Sequence, residues 1–132
     1  MSQFVTETDP LEQILEALQY RGGYSGGLPL NSNSNVLENT RTVLAGQGKL
    51  FGISGLNTKV ASQFILVFDK ATPVANGDVP VFVMTAAASS NFGVFWGDIG
   101  RWFTRGVQLA NSSTAATLTL GAADCWFDAQ YI

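Results

Sequence analysis

Ten carboxylates, seven Lys or Arg, one thiol and no imidazole are the reactive or charged side chains available to this 132-residue chain. Without histidine, neither a Ser-His-Asp nor a Cys-His catalytic arrangement can be assembled. One thiol and no imidazole do not make a zinc site. Cys125, the only cysteine, can form no disulfide within the chain. It alternates with polar residues along a candidate strand, which reads as a small core residue rather than a nucleophile. Gly22, Gly23, Gly26 and Gly27 do not follow a strand and open a helix, so they are no dinucleotide fingerprint, and no GxxxxGK[ST] loop occurs. The remaining chemistry belongs to carboxylates. Asp69, Asp98, Asp124 and Asp128 fall in or near candidate strands, and a glycosidase needs two carboxylates facing each other across a cleft. Asp69 and Asp124, however, flank turns, where Asp commonly bonds its own backbone. Asp98, or Asp78 with Asn76, lacks the ligand pattern of a calcium loop. The expectation is a chain with no catalytic residue, no metal and no cofactor, and therefore not an enzyme.

The aromatic residues offer a different chemistry. Phe92, Phe95, Trp96, Trp102, Phe103, Trp126 and Phe127 crowd the C-terminal half. Trp96 and Trp102 flank a Gly-rich turn that also holds Asp98 and Arg101. One reading is packing in the core and at an oligomer contact. The other is a sugar-stacking surface, where an aromatic face meets C–H groups and Asp98 and Arg101 supply polar contacts.

The elements that would position these residues divide into two unequal parts. Residues 1–40 form an N-terminal arm. Within it Asp9 suits an N-cap, Pro10 the first helical position and Glu12 the third, as at a capping-box start. Leu11, Ile14, Leu15 and Leu18 then fall on one stripe of a helix over about residues 9–21, which Gly22-Gly23 ends. So short a helix is not stable alone in water and must dock, on its own domain or on a neighbour. Residues 22–39 begin as a Gly, Ser and Asn-rich connector that reads as a flexible linker, or as an extended arm once bound.

Residues 41–132 read as one β-domain. Strand signals recur at 41–46, 48–55, 63–69, 79–86, 91–96, 101–109, 115–120 and 125–131, with turn clusters between them, which points to an antiparallel sandwich or barrel. Phe64 to Phe68 is apolar on both faces, so that strand is central or covered on both sides. Cys125, Phe127, Ala129 and Tyr131 alternate with Trp126, Asp128 and Gln130.

Charge and hydropathy limit the partners. Only 13% of residues are charged, against roughly 25% in an average soluble domain, so much surface is hidden, part of it in an assembly interface. The net charge of −3 is uneven. The arm holds Glu7, Asp9, Glu12, Glu16 and Glu38 against Arg21, whereas the β-domain sets six cations against five Asp. An acidic arm on a near-neutral body argues against nucleic acid, whose backbone needs clustered Lys and Arg. No apolar run reaches the roughly 18 residues of a membrane helix. The stretch MSQFVTETDP has neither the basic nor the apolar region of a secretory signal, so synthesis in the cytosol is expected.

The β-domain also resembles a known family. The matching features are the turn ISGLNT, the strand FILVFD, the spacing of Pro73, Gly77 and Pro80, a Gly-rich hairpin, the segment FTRGVQLANSSTAATLT and the ending D-x-W-F-x-A-x-Y. Over about residues 46–132 they are similar to small jelly-roll-like β-domains in the virions of tailed bacteriophages, which serve as capsid cement, decoration or head-fibre modules. The resemblance implies an all-β, antiparallel, jelly-roll-like sandwich carrying an N-terminal arm. It implies a structural virion protein on the exterior of the capsid, made in the host cytoplasm, bound to the major capsid protein and to its own copies as a homotrimer. It brings no catalytic residues. The alternatives are a receptor- or glycan-binding head-fibre or tail module and a head–tail connector of the collar. In the decoration reading Leu11, Ile14, Leu15 and Leu18 anchor the arm. Leu15→Asp then puts a charge in the buried stripe and weakens binding to empty heads without unfolding the β-domain. Co-sedimentation of the mutant at wild-type levels would remove the anchor.

Overall fold

The structure, a computed structural model, describes residues 28–132 and, ahead of them, Pro10 alone. The expected helix, with Leu11, Ile14, Leu15 and Leu18, lies outside the described residues. Among the described residues nine strands follow one another: β1 (Leu30–Asn33), β2 (Thr40–Leu44), β3 (Gly48–Asn57), β4 (Gln63–Asp69), β5 (Phe82–Ala86), β6 (Ser90–Phe95), β7 (Arg101–Phe103), β8 (Val107–Ser112) and β9 (Cys125–Tyr131). They form two antiparallel sheets. Sheet A has the order β1-β9-β3-β6, with β7 also on β3, and sheet B has the order β2-β8-β4-β5.

The pairing is nested. β6 and β7 lie along successive parts of β3, opposite Gly52–Asn57 and Gly48–Leu50. Counted as one interrupted strand, they give eight strands in which the first pairs with the last, the second with the next to last, and so on inward to β4 and β5. The chain is thus one long hairpin, rolled up so that β9 also meets β3 and β8 also meets β4. That is the jelly-roll topology, an all-β antiparallel sandwich.

The core follows from alternation. Ile53, Ile65, Val67, Phe103, Leu109, Phe127 and Ala129 point between the sheets and are buried. β4 is central in sheet B and apolar on both faces. Its other face, Leu66 and Phe68, packs with Ala110 and Leu118 in a second cluster. Leu118 comes from the loop after β8, which crosses the outside of sheet B. Sheet B is therefore covered on both faces, as the run Phe64–Phe68 requires.

Three segments depart from the sequence expectation. Leu30–Asn33, inside the stretch read as linker, is strand β1, antiparallel to β9. Its Asn and Ser residues carry little strand propensity. The ready-made edge of β9 supplies the partner. Residues 101–109 are two strands on different sheets, not one. At the corner between them the Asp69 carboxylate accepts N–H bonds from Thr104, Arg105 and Gly106. A Cβ at Gly106 would stand 2.6 Å from the Lys70 carbonyl oxygen, so only glycine passes there. Residues 115–120 form no ladder beyond the single bridge Leu120 to Ser112. Ser112 Oγ donates to the Thr114 carbonyl and accepts from the N–H groups of Thr114 and Thr119. Such hydroxyl bonds compete with strand pairing.

One end of the sandwich is tied by buried amides. The Asn57 side-chain N–H groups donate to the carbonyls of Ala61, Ala86 and Ala87. Its Oδ1 accepts from the Lys59 N–H and from Gln63 Nε2. Gln63 Oε1 accepts in turn from Asn111 Nδ2 at 2.9 Å. Asn57, Gln63 and Asn111 are all buried. Truncating one such group leaves the others desolvated and unpaired, which costs about 1–3 kcal/mol each. Asn57→Ala should lower the urea-unfolding free energy by about 2 kcal/mol or more. A loss within error of an exposed control such as Asn91→Ala would contradict this account.

Candidate functional site

The two outer faces differ. Sheet B is roofed by its own loops, whereas no described segment covers the outer face of sheet A. The side chains there can be read as rows across the strands, because successive residues alternate and neighbouring strands are in known register. One row is Trp126 on β9, Leu56 on β3 and Asn91 on β6. The next is Asn33 on β1, Asp128, Ser54 and Gly93. The third is Asn31, Gln130, Gly52 and Phe95. A groove of about 640 Å³ lies over the first two rows, with Asn33, Ser54, Leu56, Asn91, Trp126 and Asp128 in its walls.

Each part of this groove has a local cause. Trp126 is outward because Cys125 and Phe127 are inward, and it keeps 38% of its surface exposed. Gly55 lets β3 and β9 close up beneath it, since a Cβ there would meet the Trp126 carbonyl oxygen and the Phe92 ring. Asp128 Oδ2 accepts from Gln130 Nε2 at 3.1 Å and from Ser54 Oγ at 3.5 Å. The Asn33 amide, with its nitrogen turned to the strand, donates to Asp128 Oδ1. The two ion pairs among the described residues are Glu38–Arg41 and Lys70–Asp78, so no described cation pairs with Asp128.

The set Trp96, Asp98, Arg101 and Trp102 is split by the fold. Trp96 is half-buried against the core, edge-on to Phe82 with ring centroids 5.1 Å apart. Arg101 lies over the Phe103 ring and donates to the Val81 carbonyl, which closes the edge of the sandwich. Asp98 is exposed in the turn between β6 and β7. Trp102 points outward from β7, opposite Lys49 and 53% exposed. Two of the four thus serve packing and do not share a face with Trp102.

The other candidates are occupied in the fold. Asp69 holds the Thr104–Gly106 corner. Asp78 accepts from Lys70 Nζ and from the Ala75 N–H, while Asn76 Oδ1 accepts from the Leu120 N–H. These bonds pin two loops together. Asp124 stands just before β9, away from Asp69 and Asp98 in the topology. Among the described residues no three Cys, Asp or Glu side chains come close enough to hold a metal ion. Cys125 is fully buried. Burial, and then the charge of Asp124, push its thiol up to about 12, so it stays protonated and inert at neutral pH. Trp126 and Asp128 stand among the aromatics and carboxylates that the sequence offers, but their pairing on one face, and Asn33 beside them, come only from the fold. The signal for the pairing was the alternation of β9, which puts Trp126 and Asp128 together on the side opposite Cys125 and Phe127.

Compared with known proteins, the chain matches no family model, no curated protein and no solved structure.

Asp69 sets a pH dependence. Burial raises its carboxyl, but the N–H bonds from Arg105, Thr104 and Gly106 and the Thr104 hydroxyl outweigh it, so the folded value is below 3.8. The unfolded chain therefore binds the proton more readily. The contribution of Asp69 is full above the ordinary carboxylate range and fades as pH falls through 3.8 toward the lower folded value. Asp69→Asn should flatten the acid limb of a stability–pH curve and lower stability at pH 7. An acid limb of unchanged steepness would show that the corner does not depend on the charge.

Proposed function

We propose that this chain is a non-catalytic structural protein that assembles with sister copies, and with the major capsid protein, on the outside of a tailed-phage head. The capsid part of this reading rests on the resemblance in the sequence, and the jelly-roll topology is compatible with it. The assembly part rests on one observation, the side of the sandwich where β5 and β6 are both open edges.

Edge strands present unpaired N–H and C=O groups, and proteins that stay single guard them with charges or proline. Neither β5 nor β6 contains a charged residue or a proline. The two edges run together, because Phe82 packs on Trp96 and Arg101 reaches Val81. Around them Val79, Phe95 and Ile99 are each 70% exposed or more, with Val81 and Val83 also exposed. Asp98 and Arg101 are the only charges from Val79 to Phe103. An exposed apolar strip on unguarded edges is a surface for neighbours. Closed symmetric rings are the usual outcome for identical copies.

Light scattering on the full chain tests this. The wild type should have the mass of a trimer, and a Val83→Lys, Phe95→Lys double mutant should be monomeric with an unchanged β-type circular dichroism spectrum. A wild type that is monomeric at all concentrations and fails to co-sediment with heads would overturn the reading.

A further inference from the structure

The open face of sheet A carries a second inference, independent of the assembly reading. We propose that the groove over β9, β3 and β1 binds a neutral saccharide, with Trp126 as the stacking platform and Asp128, Asn33, Ser54 and Asn91 as hydroxyl partners.

The argument is one of matching chemistry. A pyranose ring offers an apolar C–H face on one side and hydroxyls around its rim that both donate and accept. The groove offers the same two properties in adjacent rows. Trp126 and Leu56 form an apolar row, and Asn33, Asp128 and Ser54 form a polar one. Side chains two residues apart on a strand stand about 7 Å apart, a separation that one ring stacked on Trp126 bridges with its rim hydroxyls. Asp128 only accepts, whereas Asn33, Asn91 and Ser54 both donate and accept. Gly93 ends the polar row without a side chain, so the floor stays open toward β6. An apolar wall with a few convergent polar groups is the usual make-up of a small-ligand site.

Other ligand classes fit less well. No described Lys or Arg lines the groove, and Asp128 repels an anion, so a phosphate or sulfate finds no partner among the described residues. A cation would use Asp128 and the Trp126 face, but Asp128 is the one described carboxylate in the walls and already accepts from Ser54, Gln130 and Asn33. An apolar peptide would leave the Asn33, Asp128 and Ser54 row desolvated and unpaired.

The test uses the full chain and a panel of methyl pyranosides and neutral oligosaccharides, read by calorimetry and tryptophan fluorescence. At least one saccharide should bind saturably, with an affinity insensitive to salt. Trp126→Ala and Asp128→Asn should each weaken it about tenfold or more, equivalent to about 1.4 kcal/mol, and Trp102→Ala should leave it unchanged. Asp128→Asn alters a half-exposed side chain by one atom, so it reports on the site even where Trp126→Ala perturbs folding. Absence of saturable binding across the panel overturns the proposal. So does binding that survives both substitutions, or preferential binding of tetramethylammonium chloride. A monomeric chain that binds saccharide would separate this proposal from the assembly reading.

Discussion

The buried amide chain Asn57–Gln63–Asn111 is the constraint from which much of the rest follows. It joins β3 of one sheet to β4 and β8 of the other. A second tie runs from Gln63 Nε2 to Cys125 Sγ on β9, at 3.5 Å. Four strands thus meet at one end around groups that lose their partners if any strand slides. In a sheet a slip of one residue turns every side chain to the opposite face. The pairing of Asn57 with Cys125 therefore decides that Phe127 and Ala129 face the core and that Trp126 and Asp128 face outward. An apolar core alone would specify the register less sharply, since β3 is interrupted by several glycines. Asn111 Oδ1 is the one buried side-chain atom without a partner among the described residues, so even this network is not fully satisfied.

The second organising group is Asp69, which makes a corner rather than a core. The chain has reason to run straight from Arg101 to Leu109, because the residues alternate and little in them signals a break. Three backbone N–H groups converging on one carboxylate turn it instead from sheet A to sheet B. Local pattern could not reveal this, because Asp69 is more than thirty residues away in the sequence. The same holds for β1. Leu30-Asn31-Ser32-Asn33 has no strand character of its own and becomes one by adding to β9.

Where the physics is local, the sequence was legible. β4 and β9 fall at the expected residues, 63–69 and 125–131. In both, side-chain alternation or continuous apolarity determines which faces are covered. Asn57 was half legible. It falls in the ISGLNT turn, and its bond to the Lys59 N–H is the turn bond expected of Asn. Its other partners, from Ala61 to Gln63 and Ala86, depend on how β3, β4 and β5 come together. The 115–120 segment misled for the opposite reason. Leu118 and Leu120 alternate with threonines as a strand would, but the hydroxyls of Ser112 and Thr114 take the bonds a ladder would need.

The asymmetry between the outer faces is what separates surface from core in this molecule. Sheet B commits its outer face to Leu118 and Val74 and has nothing left to offer there. Among the described residues sheet A keeps Gly93 and Trp126 exposed on its outer face, a composition that neither a core nor an ordinary solvated face calls for. The apolar strip runs along β6, at one edge of this sheet, and β5, at the edge of sheet B beside it, while β1 forms the other edge of sheet A. A neighbour docking along the β5–β6 side would cover Phe95 and Ile99 while the β1–β9 half of the face remained open. Under the proposed assembly two surfaces of different chemistry would act at once: an unguarded apolar edge facing a neighbour, and a polar face carrying Trp126 on the side left open.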